Sequence, residues 1–190
     1  MAGLFNRLKQ LKIERDDAIF VAIDFQERLL PAMHDCEQLE ARVVKLVKGM
    51  RELGIPMIVT QQYTKGLGPT VPSIAEAIGD FTPVEKTSFS CLGEDTFVEA
   101  IEASDKGTVI LAGIEAHICV EQTAIDLLRD GYEVALVTDC VQSRDPKNKE
   151  ITLQRLAQAG VILTSFESVL YELLGGAKAP EFKAISALVK

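Results

Sequence analysis

The chain is poor in the side chains that hold metals or grip nucleic acid. Its two histidines, His34 and His117, and four cysteines, Cys36, Cys91, Cys119 and Cys140, include no CxxC pair and no cluster of the kind that makes a zinc site. Lys and Arg number 20 against 28 Asp and Glu, a net charge of −8, and no basic stripe with interleaved aromatics occurs. A nucleic-acid partner is therefore not expected, because phosphate binding needs clustered cations. No apolar run approaches the roughly 20 residues of a membrane span. There is no GxGxxG or P-loop, and the GLG at Gly66–Gly68 is too short to cradle a phosphate.

The opening stretch, MAGLFNRLKQLKIERDD, does not read as a signal peptide, since charges interrupt Leu4, Phe5, Leu8 and Leu11. Those positions suit a short amphipathic helix packed on the body. With nothing marking secretion, reduced thiols and a cytoplasmic location are expected.

What the chain has in quantity is core. Hydrophobic residues make up 47% and charged residues 25% of 190, enough for one domain with a substantial interior. That domain is expected over 1–190, with an N-terminal extension at 1–16, a core over about 18–173 and a C-terminal helix in 174–190. No repeat or linker divides it.

Strand-like runs alternate with helical patterns. AIFVAIDF (Ala18–Phe25), PMIVTQQ, FTPVEK, TVILAGI, EVALVTDC and VILTSFE read as strands, FTPVEK weakly because Pro83 confines it to an edge. Helical spacing is clearest from Glu37 to Leu53, at Leu39, Val43, Val44, Leu46, Val47 and Met50. SIAEAIG, EDTFVEAIEAS, ICVEQTAIDLLRD, PKNKEITLQRLAQA, SVLYELL and PEFKAISALV are the other helices, and YTKGLGPTVPS is a loop. Continuous Val/Ile/Leu strands between helices predict an α/β fold, a three-layer α/β/α doubly wound sandwich on a mainly parallel sheet.

In such folds ligands bind beyond the carboxyl ends of the strands. Asp24, Gln61 and Gln62, Lys86, the stretch GIEAHIC and Asp139 all fall there. Cys119 stands in the first turns of a predicted helix, where amide N–H groups and the helix dipole favour a thiolate. Free cysteine is also among the most buried residue types, so packing explains it as well. Asp24 alone reads as a strand end and Lys86 alone as a snorkelling surface residue. Together the three supply a base, a cation and a nucleophile.

The motifs AIDFQERL around Asp24, VEKTSFSC around Lys86, and AGIEAHICVEQTAIDLLRDGYEVALVTDC around Cys119 occur in one order. By them the chain resembles the isochorismatase-like cysteine hydrolase superfamily, from about Ala18 to Leu173. The resemblance implies an isochorismatase-like hydrolase fold and a catalytic triad of Asp24, Lys86 and Cys119. It also implies a cis peptide at Ile114–Glu115 and an oxyanion hole from the N–H groups of Glu115 and Cys119. Relatives that hydrolyse nicotinamide carry an Asp-x-His metal site after the second strand. The matching loop here, TQQYTKGLG, has neither acid nor histidine, so no metal and no cofactor are expected. True isochorismate hydrolases lack the cysteine, which sets this chain apart from them.

The expected activity is hydrolysis of an amide-type C–N bond of a small molecule through a thioester, in a homo-oligomer. Phe25, Gln62, Tyr63, Phe89, His117 and Ile118 are candidate substrate-binding residues. A redox-reactive thiol and a non-catalytic binding protein of the same fold are the alternatives.

Overall fold

The computed structural model describes residues 11–190. The longest apolar runs become the centre of one sheet. β1 (Ala18–Ile23) and β4 (Thr108–Ile114) are buried along their whole length, as strands covered on both faces must be. β2 (Met57–Gln62) and β5 (Glu133–Gln142) flank them. The short β3 (Val84–Lys86) and β6 (Ile162–Thr164) form the edges. All pairings are parallel, in the order β3-β2-β1-β4-β5-β6. This is a doubly wound order, and its winding reverses between β1 and β4.

The helices are α1 (Cys36–Glu52), α2 (Thr64–Leu67), α3 (Pro72–Ile78), α4 (Asp95–Ala103), α5 (Glu121–Arg129), α6 (Pro146–Ala159), α7 (Phe166–Leu174) and α8 (Phe182–Val189). Side chains alternate along the central strands and divide the core in two. Phe20, Ala22, Ile110 and Ala112 pack with α1, α3, α7 and α8. Ile19, Val21, Val109 and Leu111 pack with α4, α5 and α6. Of the α1 positions read from periodicity, Leu39, Val43, Leu46, Val47 and Met50 are buried and Val44 is half-buried.

Several elements differ from expectation. Within YTKGLGPTVPS, read as a loop, Thr64–Leu67 form the short helix α2, and of FTPVEK only Val84–Lys86 is strand. The strand read at 161–167 stops at Thr164, because the Ser165 hydroxyl accepts the Ser168 amide at 3.2 Å and starts α7. The helix read from Ile118 is preceded by a single π-helical turn over Ala116–Val120, and α5 begins only at Glu121. Leu4, Phe5 and Leu8 lie outside the described residues, and Leu11 is exposed. From Ile13 onward the chain is tied down: Ile13 is buried, and its amide donates to Glu172 Oε1 at 2.9 Å. Arg15 bonds the Leu53 carbonyl and Glu181, each at 2.9 Å.

Gly113 sets the distance between β1 and β4. A Cβ there would stand 2.5 Å from Ile23 Cβ and 2.8 Å from the Ile23 carbonyl oxygen. Only glycine lets these backbones come so close, and the approach brings the end of β1 beside the turn that follows β4.

Candidate active site

At the end of β1 the chain turns sharply at Asp24, whose φ of 57° is left-handed. The turn is held by the Asp24 amide, which donates to the Thr60 carbonyl at 3.3 Å, and by its own carbonyl, which accepts from Gln26 at 2.8 Å. The carboxylate points into the protein. Oδ1 accepts the Thr60 hydroxyl at 2.7 Å, and Oδ2 lies 2.7 Å from Lys86 Nζ. Oδ2 takes no hydrogen bond of ordinary geometry among the described residues, so its contact with Lys86 is an ion pair.

Lys86 ends β3 opposite Gln62 of β2. Both members of the Lys86–Asp24 pair are fully enclosed. The ammonium is also 2.5 Å from Gln62 Oε1 and 3.3 Å from the carbonyls of Ser88 and Phe89. Such a set of acceptors is what a buried ammonium requires. Burial pushes its pKa down, but the charge of Asp24 foremost outweighs that and leaves it raised. A lysine read as a candidate snorkelling residue is thus an interior cation.

Cys119 lies in the π-helical turn and is 5% exposed. Its carbonyl accepts the Thr123 hydroxyl at 2.7 Å, and that hydroxyl accepts the Cys91 amide at 3.0 Å. The expectation of a lowered thiol pKa is overturned. Burial foremost, then the Asp24 charge, pushes the Cys119 thiol up to about 12, and Lys86 offsets only part of this. A helix terminus stabilises a thiolate where solvent or cations complete its environment, whereas here a carboxylate stands against it. In the unliganded protein Cys119 is a neutral thiol beside a charged pair.

Burial also pushes Cys91 up to about 11 and Cys140 well above the ordinary thiol value of 9.0. These three thiols keep their protons when folded and lose them when unfolded, so stability falls as pH rises above 9. Each contributes roughly 1 kcal/mol per pH unit within its window. Lys149, lowered by burial, acts in the opposite sense, while Lys86 and Tyr132, both raised, act with the thiols. Urea unfolding is expected to show a lower midpoint at pH 10 than at pH 8, with a smaller drop in Cys91→Ala. Equal midpoints at the two pH values would contradict the buried-thiol description.

The peptide between Ile114 and Glu115 is cis. The Glu115 side chain is buried and binds the loop after β5: its carboxylate accepts the Arg144 amide at 3.0 Å and Arg144 Nε at 3.1 Å. His117 strengthens the same junction through Ser143 Oγ, 2.9 Å from Nδ1, and Asn148 Nδ2, 3.4 Å from Nε2. Half-buried His117 is a strut between the cysteine turn and α6.

The remaining candidates divide. Tyr63 and Phe89 are each 55% exposed and stand at the carboxyl edge near Lys86. Gln62 spends its amide on Lys86 and on the Thr87 carbonyl, 2.9 Å away. Ile118 is half-buried beside Cys119. Phe25 is in the core, 1% exposed among the residues under α1, and forms no wall of an open site. A groove of about 650 Å³ lined by Lys48, Arg51, Glu76 and Leu188 lies at the last turn of α1, the opposite edge of the sheet from the three residues. Among the described residues no group of three or more His, Cys, Asp or Glu is placed to hold a metal ion.

Sequence reasoning missed Thr60, Cys91 and Thr123. Thr60 is fully buried next to Asp24, and a polar residue at the inner end of the PMIVT run was its only signal. Thr60→Val is expected to leave Oδ1 of a buried carboxylate short of a donor and to lower stability by about 1–2 kcal/mol. An unchanged urea midpoint would show that this bond carries no weight.

Residues 18–168 match the isochorismatase domain family. The chain belongs to this family. Isochorismatase domain-containing protein 2 of Danio rerio is 39% identical over 179 residues, covering 94% of this chain and 89% of the relative. Isochorismatase domain-containing protein 1 of Salmo salar is 38% identical over 172 residues, 90% of this chain but 60% of that protein. The chain thus spans about 60% of the length of that relative. The secreted isochorismatase effector Isc1 of Phytophthora sojae is 38% identical and covers 100% of this chain and 93% of the relative. Membership therefore does not by itself place a chain in the cytoplasm. Among the described residues no helix is long and apolar enough to cross a membrane. Of solved structures, MAR1 ribonuclease from Caenorhabditis elegans superposes with a TM-score of 0.88 at 36% identity, covering 94% of this chain and 92% of that one. YcaC from Pseudomonas aeruginosa, with hexane-2,5-diol and covalent acrylamide, superposes at 0.87 and 26% identity, covering 93% and 91%.

Proposed function

We propose that this isochorismatase-family protein is a cysteine hydrolase that cleaves an amide-type C–N bond of a small molecule through a thioester on Cys119. The observation that carries the reading is the buried Asp24–Lys86 ion pair beside a buried, neutral Cys119 thiol. With substrate seated, Asp24 takes the thiol proton while Lys86 offsets the charge of the thiolate. Sulfur bonds to the carbonyl carbon, and the N–H groups of Glu115 and Cys119 hold the oxyanion. The C–N bond breaks as Asp24 returns its proton to the leaving amine. Water, losing a proton to Asp24, then cleaves the thioester to the acid and restores the thiol. Amide and water become acid and amine, and no other reactant is needed.

The covalent acrylamide on YcaC fits a reactive nucleophile in a related fold; acrylamide takes nucleophiles at its alkene carbon, so it speaks for reactivity and not for attack on an amide carbonyl. The raised thiol pKa opposes the redox-sensor alternative, since peroxides react with thiolates. The name of the MAR1 relative raises RNA cleavage as a second activity, against which stands the net charge of −8. The test is amine or ammonia release from a panel of small amides, run beside a labelled single-stranded RNA. Amine release is the expected result. RNA cleavage that Asp24→Asn removes, with no amide turned over, would replace this reading, and binding without turnover would favour the non-catalytic alternative.

A further inference from the structure

The loop between β3 and α4 does more than connect them. Glu94 begins α4, where its carbonyl accepts the amides of Phe97 and Val98 at 3.0 and 3.2 Å. Its side chain reaches back instead of out. Oε1 accepts the Thr87 amide at 2.8 Å, the Ser88 amide at 3.0 Å and the Ser88 hydroxyl at 2.8 Å. Those bonds fix the two residues that follow Lys86, and the carbonyls of Ser88 and Phe89 both face its ammonium at 3.3 Å. Gly93 makes room for this fold-back, because a Cβ there would stand 2.6 Å from Ser88 Cβ. The same loop bonds the cysteine turn through the Cys91 amide, the Thr123 hydroxyl and the Cys119 carbonyl.

We infer that Glu94 is a positioning residue of the site: it folds the β3–α4 loop so that Lys86 is held between Asp24 and Cys119. This rests on the reading of Lys86 as the cation that acts on the thiol. Hydrogen bonds from the Ser88 and Thr87 amides hold the Glu94 carboxyl down at about 2, so it stays an acceptor throughout the pH range of any assay.

The experiment needs no substrate. The rate of iodoacetamide alkylation at each cysteine is followed from pH 7 to 10.5 by peptide mass spectrometry, in wild type, Glu94→Ala, Glu94→Gln, Ser88→Ala and Lys86→Met. Loosening Lys86 weakens the one charge that favours the thiolate, so the Cys119 profile should move to higher pH. A displacement of one unit makes alkylation about tenfold slower at any pH below it, and that is the size expected for Glu94→Ala. Glu94→Gln keeps an acceptor oxygen and should restore part of the rate. Ser88→Ala keeps the backbone bonds and should stay within about twofold of wild type. Cys36, half-buried at the start of α1 and outside this loop, serves as the internal control. If Glu94→Ala does not fold, the Glu94→Gln profile decides by the same displacement. A Cys119 profile unchanged by the Glu94 variants but displaced in Lys86→Met would overturn the positioning role alone. No displacement in Lys86→Met would remove the role of Lys86 and this inference with it.

Discussion

Cys119→Ala is expected to lower turnover of any amide substrate by at least about 10³-fold, because among the described residues no other group on the strand edge is placed to form the covalent intermediate. The buried neighbours cannot substitute. Cys91 is fully enclosed, with its thiol pushed up to about 11 by burial. The variant should fold, since Asp24, Lys86 and their partners Thr60 and Gln62 are untouched. Circular dichroism and urea unfolding check that, and steady-state amine release gives the rate. A serine in the same place should be nearly as inactive. Its hydroxyl holds its proton more tightly than a thiol, and a base already engaged by Thr60 and Lys86 gives it little help.

Lys86→Met carries the largest expected cost to the fold. The methionine fills similar volume but leaves the Asp24 carboxylate buried with the Thr60 hydroxyl and no counter-charge. Removing one partner of a buried ion pair costs roughly 3–5 kcal/mol, on the order of 10 °C in melting temperature for a chain of this size. Asp24→Asn in the same chain removes the uncompensated charge. The double variant should therefore be more stable than Lys86→Met while remaining inactive, a coupling that a double-mutant cycle reads directly. Additive losses would mean that the two side chains are not paired in solution. Asp24→Asn alone should cost about 10²–10⁴-fold in rate through loss of proton transfer.

The architecture was largely legible because period and composition encode it. Largely apolar stretches of six and seven residues gave β1 and β4, and the 3.6-residue spacing of Leu39 to Met50 gave the buried face of α1. The placement of Asp24, Lys86 and Cys119 at strand ends followed from the parallel sheet. What sequence could not give was environment. Whether Lys86 is interior or snorkelled depends on acceptors from Gln62, Ser88 and Phe89, set by a loop fold that leaves no periodic trace. The thiol shift was read with the wrong sign for the same reason: the helix start is visible in the sequence, but the depth of Cys119 and the carboxylate beside it are not. Phe25 shows the opposite error, an aromatic beside a catalytic-type acid that packs into the core. Thr60 and Glu94 carry no motif. Each matters through one or a few hydrogen bonds across 36 and 6–7 residues of sequence, respectively.

The most direct test of the account is intact-protein mass spectrometry after a rapid acid quench, with an amide substrate in excess. The account predicts a population heavier by the acyl group, located by peptide mapping at Cys119, released by hydroxylamine and absent from Cys119→Ala. Product release at the wild-type rate in Cys119→Ala, with no adduct in either protein, would contradict it.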